Sequence, residues 1–120
     1  MNCIFCKIVN SEIPSYKLYE DDDIYVFLDI NPSSPGHTLI IPRKHILDIT
    51  EIDNETLIKI ISKAKDIANL LKEKLNSSGF SLVQNNGNVQ EVKHFHLHVI
   101  PSYDNKEEID VDKVFEILTK

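Results

Sequence analysis

Residues 93–101 read KHFHLHVIP and carry three of the chain's five histidines at alternate positions. In extended backbone successive side chains point to opposite faces, so His94, His96 and His98 share one face. Phe95, Leu97 and Val99 share the other, as in a strand with one face on a core. A solvated polar face would account for one or two histidines, but poorly for three. Imidazole near neutral pH is a nucleophile, a proton carrier and a metal ligand, so the cluster points to chemistry. One ion does not hold all three. At about 3.3 Å per residue, the Cα atoms of His94 and His98 stand roughly 13 Å apart. The three histidines therefore divide their labour.

Both cysteines fall in CIFC, residues 3–6. A thioredoxin-like redox pair needs a strand before it, and only two residues precede Cys3. A C-x2-C pair is half of a zinc site and requires two further ligands from elsewhere; ordinary thiols are the alternative. The remaining histidines are His37, ahead of an apolar run, and His45, just after IPRK. A zinc hydrolase built on two of the clustered histidines is disfavoured on spacing, because no further carboxylate or histidine stands beside them in sequence.

The elements that must position these groups follow from pattern. Residues 3–10 form a helical turn or two. KLYE (17–20) and IYVFLD (24–29) flank the turn DDD as a hairpin, and NPSSPG (31–36) is a loop. HTLIIP (37–42) is a strand that Pro42 ends. Residues 53–75 form the longest element, a helix with Asp53 as N-cap. Its core stripe is Leu57, Ile60, Ile61, Ala64, Ile67, Ala68, Leu71 and Leu75. FSLVQN (80–85) and the histidine segment are strands around NGN. A charged stretch at 104–108 leads to a C-terminal helix at about 110–119. This order predicts an α+β fold: an antiparallel sheet of about five strands, covered on one face by the long helix.

At 120 residues, with 42% hydrophobic and 27% charged side chains, the chain is expected to be one globular domain. A net charge of −6 argues against non-specific nucleic-acid binding. There is neither an apolar run long enough for a membrane span nor a signal-peptide pattern, so the expected compartment is the cytoplasm, where a structural disulfide is disfavoured.

HFHLHVI fits the pattern His-φ-His-φ-His-φ-φ, with φ apolar. Together with CIFCKIVNSEIP, FLDINPSSPGHTLIIPRKH, NNG and QEVKHFHLHVIP, in that order, it resembles the histidine triad family, and in particular its nucleotide-binding Hint branch. The likeness spans residues 3–103. It implies nucleotidyl transfer: hydrolysis of a purine nucleoside monophosphate joined through phosphorus to an amine or other leaving group, by way of a nucleotidyl-histidine. His96 would be the nucleophile. The carbonyl of His94 would hold its Nδ1 proton, and His98 would serve the phosphate or the leaving group. The resemblance assigns Asp29 to the ribose and Phe5, Ile8, Phe27 and Ile30 to the base. It assigns Asn85, Gln90 and His98 to the phosphate region. It also implies a structural zinc on Cys3, Cys6, His45 and His94, no organic cofactor, and a homodimer formed through the long helix and an edge strand.

Two departures from the family pattern stand out. NNGNVQEV is shorter than usual, with Val89 where a glycine is common, which puts the reach of Gln90 in question. Glu91 replaces a serine of the animal proteins, so hydroxyl assistance there is not assumed. A nucleotide-binding regulator or adaptor with little catalysis is the competing reading.

Overall fold

The computed structural model describes residues 2–105 and 108–120. Helix α1 (Ile4–Val9) precedes the hairpin β1 (Lys17–Glu20) and β2 (Ile24–Leu28), followed by β3 (Thr38–Pro42) and the long helix α2 (Asn54–Leu75). Then come β4 (Gly79–Gln84), a single 3-10 turn (Gly87–Val89), β5 (Leu97–Ser102) and helix α3 (Val111–Leu118). The five strands form one antiparallel sheet in the order β1-β2-β3-β5-β4. Of the charged stretch 104–108, Lys106 and Glu107 lie outside the described residues.

The local determinants are those the sequence predicts. In the hairpin turn, Asp21 Oδ1 accepts from the amides of Asp23 and Ile24. At the start of α2, Asp53 caps by accepting from Thr56 N, and Asn76 ends the helix in the left-handed region at φ 57°. Alternation along the strands separates two cores. Ile24, Val26, Leu28, Ile40, Leu97 and Val99 pack with Ile60, Ala64, Ile67 and Leu71 of α2, and α3 adds Val114 and Leu118. On the opposite face Tyr25, Phe27, Leu39 and Ile41 pack with Cys3, Phe5, Ile8 and Val9 around α1.

Three expectations need correction. The sheet is covered on both faces, not one: α1 closes the second face over β2 and β3, so all ten residues of those strands are buried. Ile61 belongs to the apolar stripe of α2 yet is 48% exposed; it flanks the stripe near edge strand β4, beyond the packed core. The last strand begins at Leu97, so His94 and His96 precede it. The register that pairs Ile40 with Leu97 would set Phe95 opposite Pro42, which has no N–H to donate. The Phe95 amide instead donates to Ile46 O at 2.7 Å, and the His94 carbonyl is taken by the His96 side chain.

Candidate active site

The second face is open where α1 stops. There β5, β4 and the loop between β2 and β3 form a cavity lined by Asp29, His37, Asn85, Glu91, His96 and His98, among others. His96 is 3% exposed, and its Nδ1 lies 2.8 Å from the carbonyl of His94. A carbonyl only accepts, so the proton of a neutral His96 sits on Nδ1 and the lone pair on Nε2. Phe5 packs edge-on against His96, with ring centroids 5.1 Å apart, and His98 packs against its other side at 4.9 Å. The His96 ring is thus held in one tautomer between two rings.

The three histidines turn to different partners. His94 is fully buried and turns away from the cavity toward the N-terminus. Its Nδ1 stands 3.4 Å from Cys3 Sγ and 3.6 Å from Cys6 Sγ, while Cys6 Sγ is 3.3 Å from His45 Nδ1. The four donor atoms lie within 4.8 Å of one another. Zinc with Zn–S of about 2.3 Å and Zn–N of about 2.0 Å in a tetrahedron requires S···N edges of roughly 3.5 Å, which these match. His94 Nε2 donates to the Pro42 carbonyl at 2.8 Å, leaving Nδ1 as a lone pair for a cation. Burial, aided by Cys3, pushes the Cys6 thiol up to about 11, and burial lowers His94 to about 4. A divalent ion there would reverse the thiol's reluctance to ionise. The chemistry and spacing of the donors fit a structural zinc.

His98 turns the other way. Its Nδ1 is 2.9 Å from His37 Nε2, and Asp29 Oδ2 is 3.7 Å from the same His37 nitrogen. These three residues also bring ligand atoms within 4.8 Å. The spacing argument against further donors beside the triad therefore fails: the fold supplies a histidine 61 residues away in sequence and, beside it, the carboxylate of Asp29. The group nevertheless suits a metal poorly. His37 Nδ1 accepts from the Ser33 amide at 3.0 Å, so the proton of neutral His37 sits on Nε2, where a ligand needs a lone pair.

Among the residues predicted for nucleotide contact, the structure brings Asp29, Asn85 and His98 to the cavity. Asp29 Oδ1 accepts from Asn31 N, which sets the carboxylate at the rim of the β2–β3 loop. Phe5, Ile8 and Phe27 are buried in the second core, whereas Ile30 is 67% exposed on the loop. Gln90 is not brought to the cavity. It is 4% exposed, its Nε2 donates to Leu47 O at 2.6 Å, and its Oε1 is buried without a partner among the described residues. The short 3-10 turn, closed by Gln90 N donating to Gly87 O, leaves too little chain to swing it outward. Glu91, next along, lines the cavity instead.

His37 is the site residue that motif reading passed over. Its sequence signal was its place ahead of the apolar run that forms β3, and β3 and β5 prove to be neighbours, with Leu39 paired to His98. Gly36, just before it, holds φ +95°, and a Cβ there would meet Leu71 at 2.6 Å, so the turn that delivers His37 is tied to α2.

Comparison with known proteins agrees with this geometry. Residues 10–105 match the model of the HIT domain. An uncharacterised HIT-like protein of Methanocaldococcus jannaschii is 46% identical over 109 residues, covering 89% of this chain and 84% of its own. The adenosine 5'-monophosphoramidase of Saccharomyces cerevisiae is 42% identical over 123 residues, covering 93% and 75%. A Zn-bound histidine triad family protein of Mycobacterium smegmatis superposes with a TM-score of 0.91 at 33% identity, covering 99% of this chain and 91% of that one. The chain belongs to the histidine triad (HIT) family.

Proposed function

We propose that this protein is a nucleotidyl hydrolase or transferase that acts on purine nucleoside monophosphates linked at phosphorus, of the phosphoramidate type. The observation that carries the reading is the 2.8 Å bond from His96 Nδ1 to the His94 carbonyl, which leaves a lone pair on Nε2 in a cavity shared with Asp29, Asn85 and His98. In the first step Nε2 attacks phosphorus and the P–N bond breaks. The electron pair goes to the departing amine, which takes up a proton from solvent. The nucleotidyl-imidazolium that forms keeps its proton on Nδ1 and donates it in a hydrogen bond to the carbonyl of His94, a preformed acceptor that offsets the developing charge. Water then attacks phosphorus, the pair returns to Nε2, and the monophosphate leaves while the water's proton passes to solvent. Asp29 would accept the ribose hydroxyls, and Phe5, Ile8, Phe27 and Ile30 would set the base side of the pocket.

Cys3, Cys6, His45 and His94 would hold zinc in a structural role, pinning α1 against the segment that presents His96. The homodimer belongs to the same reading. Ile61, Phe80 and Leu82, 45–51% exposed, line a groove between α2 and edge strand β4, a surface suited to a second copy. The test is incubation with an adenosine phosphoramidate radiolabelled at phosphorus, followed for monophosphate release and for acid-labile label on the protein. Neither product appearing would favour the nucleotide-binding regulator instead, a reading to which the inward-turned Gln90 lends support.

A further inference from the structure

We propose that Glu91 sets leaving-group specificity, selecting nucleoside phosphoramidates whose departing amine also carries a cationic group and disfavouring substrates whose leaving group is anionic. The inference rests on the reaction proposed above and adds to it which leaving groups the cavity receives.

The register of the sheet fixes the order of the groups along β5. Leu28 pairs with Thr38, and Thr38 pairs with Val99. Asp29, one residue past Leu28, therefore stands level with Ile100. Gln84 pairs with Leu97, so the chain leaving β4 turns back beyond the other end of β5, and Glu91 lies on that return. His98 and His96 come between. Four residues separate the level of Ile100 from that of His96, roughly 13 Å of extended chain. Asp29 and Glu91 thus reach one cavity from opposite ends. Glu91 also lines the recess beside Cys3, Ile4 and His45, which puts it on the His94 side of His96. A nucleotide with its ribose on Asp29 and its phosphorus at His96 Nε2 directs its leaving group to the Glu91 end.

Charge decides what that end accepts. Among the described residues, neither Lys nor Arg lines the cavity. Burial holds His37 below the ordinary histidine range and lowers His98 to about 4, so neither is a cation at neutral pH. Lys93, the cation nearest to Glu91 in sequence, donates to Gly87 O at 2.6 Å instead of pairing with it. The Glu91 carboxylate is exposed and open to a ligand's charge. A unit charge about 6 Å from a carboxylate, at an effective dielectric of about 40, changes affinity about tenfold. An ammonium on the leaving group gains by that factor. Leaving groups that remain anionic, such as sulfate or a nucleoside polyphosphate, meet a carboxylate with no cation to offset it.

Two measurements test this. Adenosine phosphoramidates of 1,3-diaminopropane and β-alanine have leaving amines of similar length and opposite charge at the far end. The ratio of their kcat/KM values removes any rate change common to both. Comparing that ratio between proteins removes the difference in amine basicity. In Glu91→Gln the preference for the cation should fall about tenfold, and Glu91→Lys should reverse it. Added salt should compress the preference in wild type, because the carboxylate is exposed. Ratios alike in all three proteins would overturn the proposal. The second measurement joins the same two amines to adenosine through a carbamate, which has no phosphorus to attack, and reads affinity by calorimetry. Wild type should bind the cationic carbamate about tenfold or more tightly than the anionic one, and Glu91→Gln should lose that difference. Inactivity on both phosphoramidates with the affinity difference intact would defeat the enzyme reading and leave the assignment of Glu91 standing. Turnover that is indifferent to residue 91 would do the reverse, and a protein that neither binds nor hydrolyses these compounds would overturn both.

Discussion

If His96 is the nucleophile, its chemical and structural contributions can be separated, because its two nitrogens do different things. His96→Ala removes both. The attacking lone pair goes, and so does the Nδ1–H that satisfies the carbonyl of fully buried His94. An acceptor stranded in that position costs about 1–3 kcal/mol, which for a chain of this size lowers the melting temperature by roughly 4–12 °C. His96→Asn is the informative partner. Its side-chain NH2 falls near the place of Nδ1 and can still donate to the His94 carbonyl, yet nothing remains at the position of Nε2. The Asn variant should therefore melt within about 3 °C of wild type, while turnover in both variants falls by at least about 10³-fold. Affinity for the nucleoside monophosphate should change by about tenfold or less, some 1.4 kcal/mol, since the contacts of Asp29 and Asn85 remain. The assays are calorimetric melting, single-turnover hydrolysis and trapping of acid-labile nucleotidyl protein. Turnover by the Asn variant within tenfold of wild type, or label persisting without His96, would refute the nucleophile assignment.

Three further outcomes are expected. Protein purified without chelator should contain about one zinc per chain by elemental analysis, and Cys6→Ser should lose it; melting temperature should fall before turnover does, and the opposite order would make the ion catalytic. Inserting two residues, one a glycine, between Gly87 and Gln90 should free Gln90 from the Leu47 carbonyl and raise turnover; an unchanged or lower rate would show that the native turn serves as it stands. Phe80→Glu should convert a dimer to a monomer in sedimentation equilibrium, and a wild-type protein that sediments as a monomer would remove the dimer from the reading.

Most of the fold was legible because local signals agreed with one another. The helix cap at Asp53, the stripe along α2 and the breaker Pro42 each mark a boundary within a residue or two. Coverage of the sheet was misread for an equally local reason. Six residues of α1 are too few to advertise an amphipathic face, so the layer that Phe5, Ile8 and Val9 form on the second face has little periodicity to find. Ile61 was misread because a periodic stripe records which residues share a helix face, not how far the core beneath extends. Within the site, the spacing of His94, His96 and His98 pointed to a cluster, and the structure gives each of the three a different partner. The spacing could not disclose that His98 has His37 and Asp29 as neighbours, because that follows from strand order.

What side-chain identity leaves open at this site, backbone groups decide. Two clusters lie at the ends of the histidine segment, and each gathers donors that could ligate a cation. At the first, the outer nitrogen of His94 meets the carbonyl of Pro42, an acceptor, so the inner nitrogen keeps its lone pair and the cluster fits zinc. At the second, the outer nitrogen of His37 meets the amide of Ser33, a donor, so the inner nitrogen keeps its proton and passes a hydrogen bond to His98. His96 stands between them, oriented by a third backbone group, the carbonyl of His94. On the proposed reading, imidazoles of similar intrinsic basicity would serve as zinc ligand at His94 and as nucleophile at His96 through the polarity of the peptide groups that hold them, and those groups are set by the sheet and its loops.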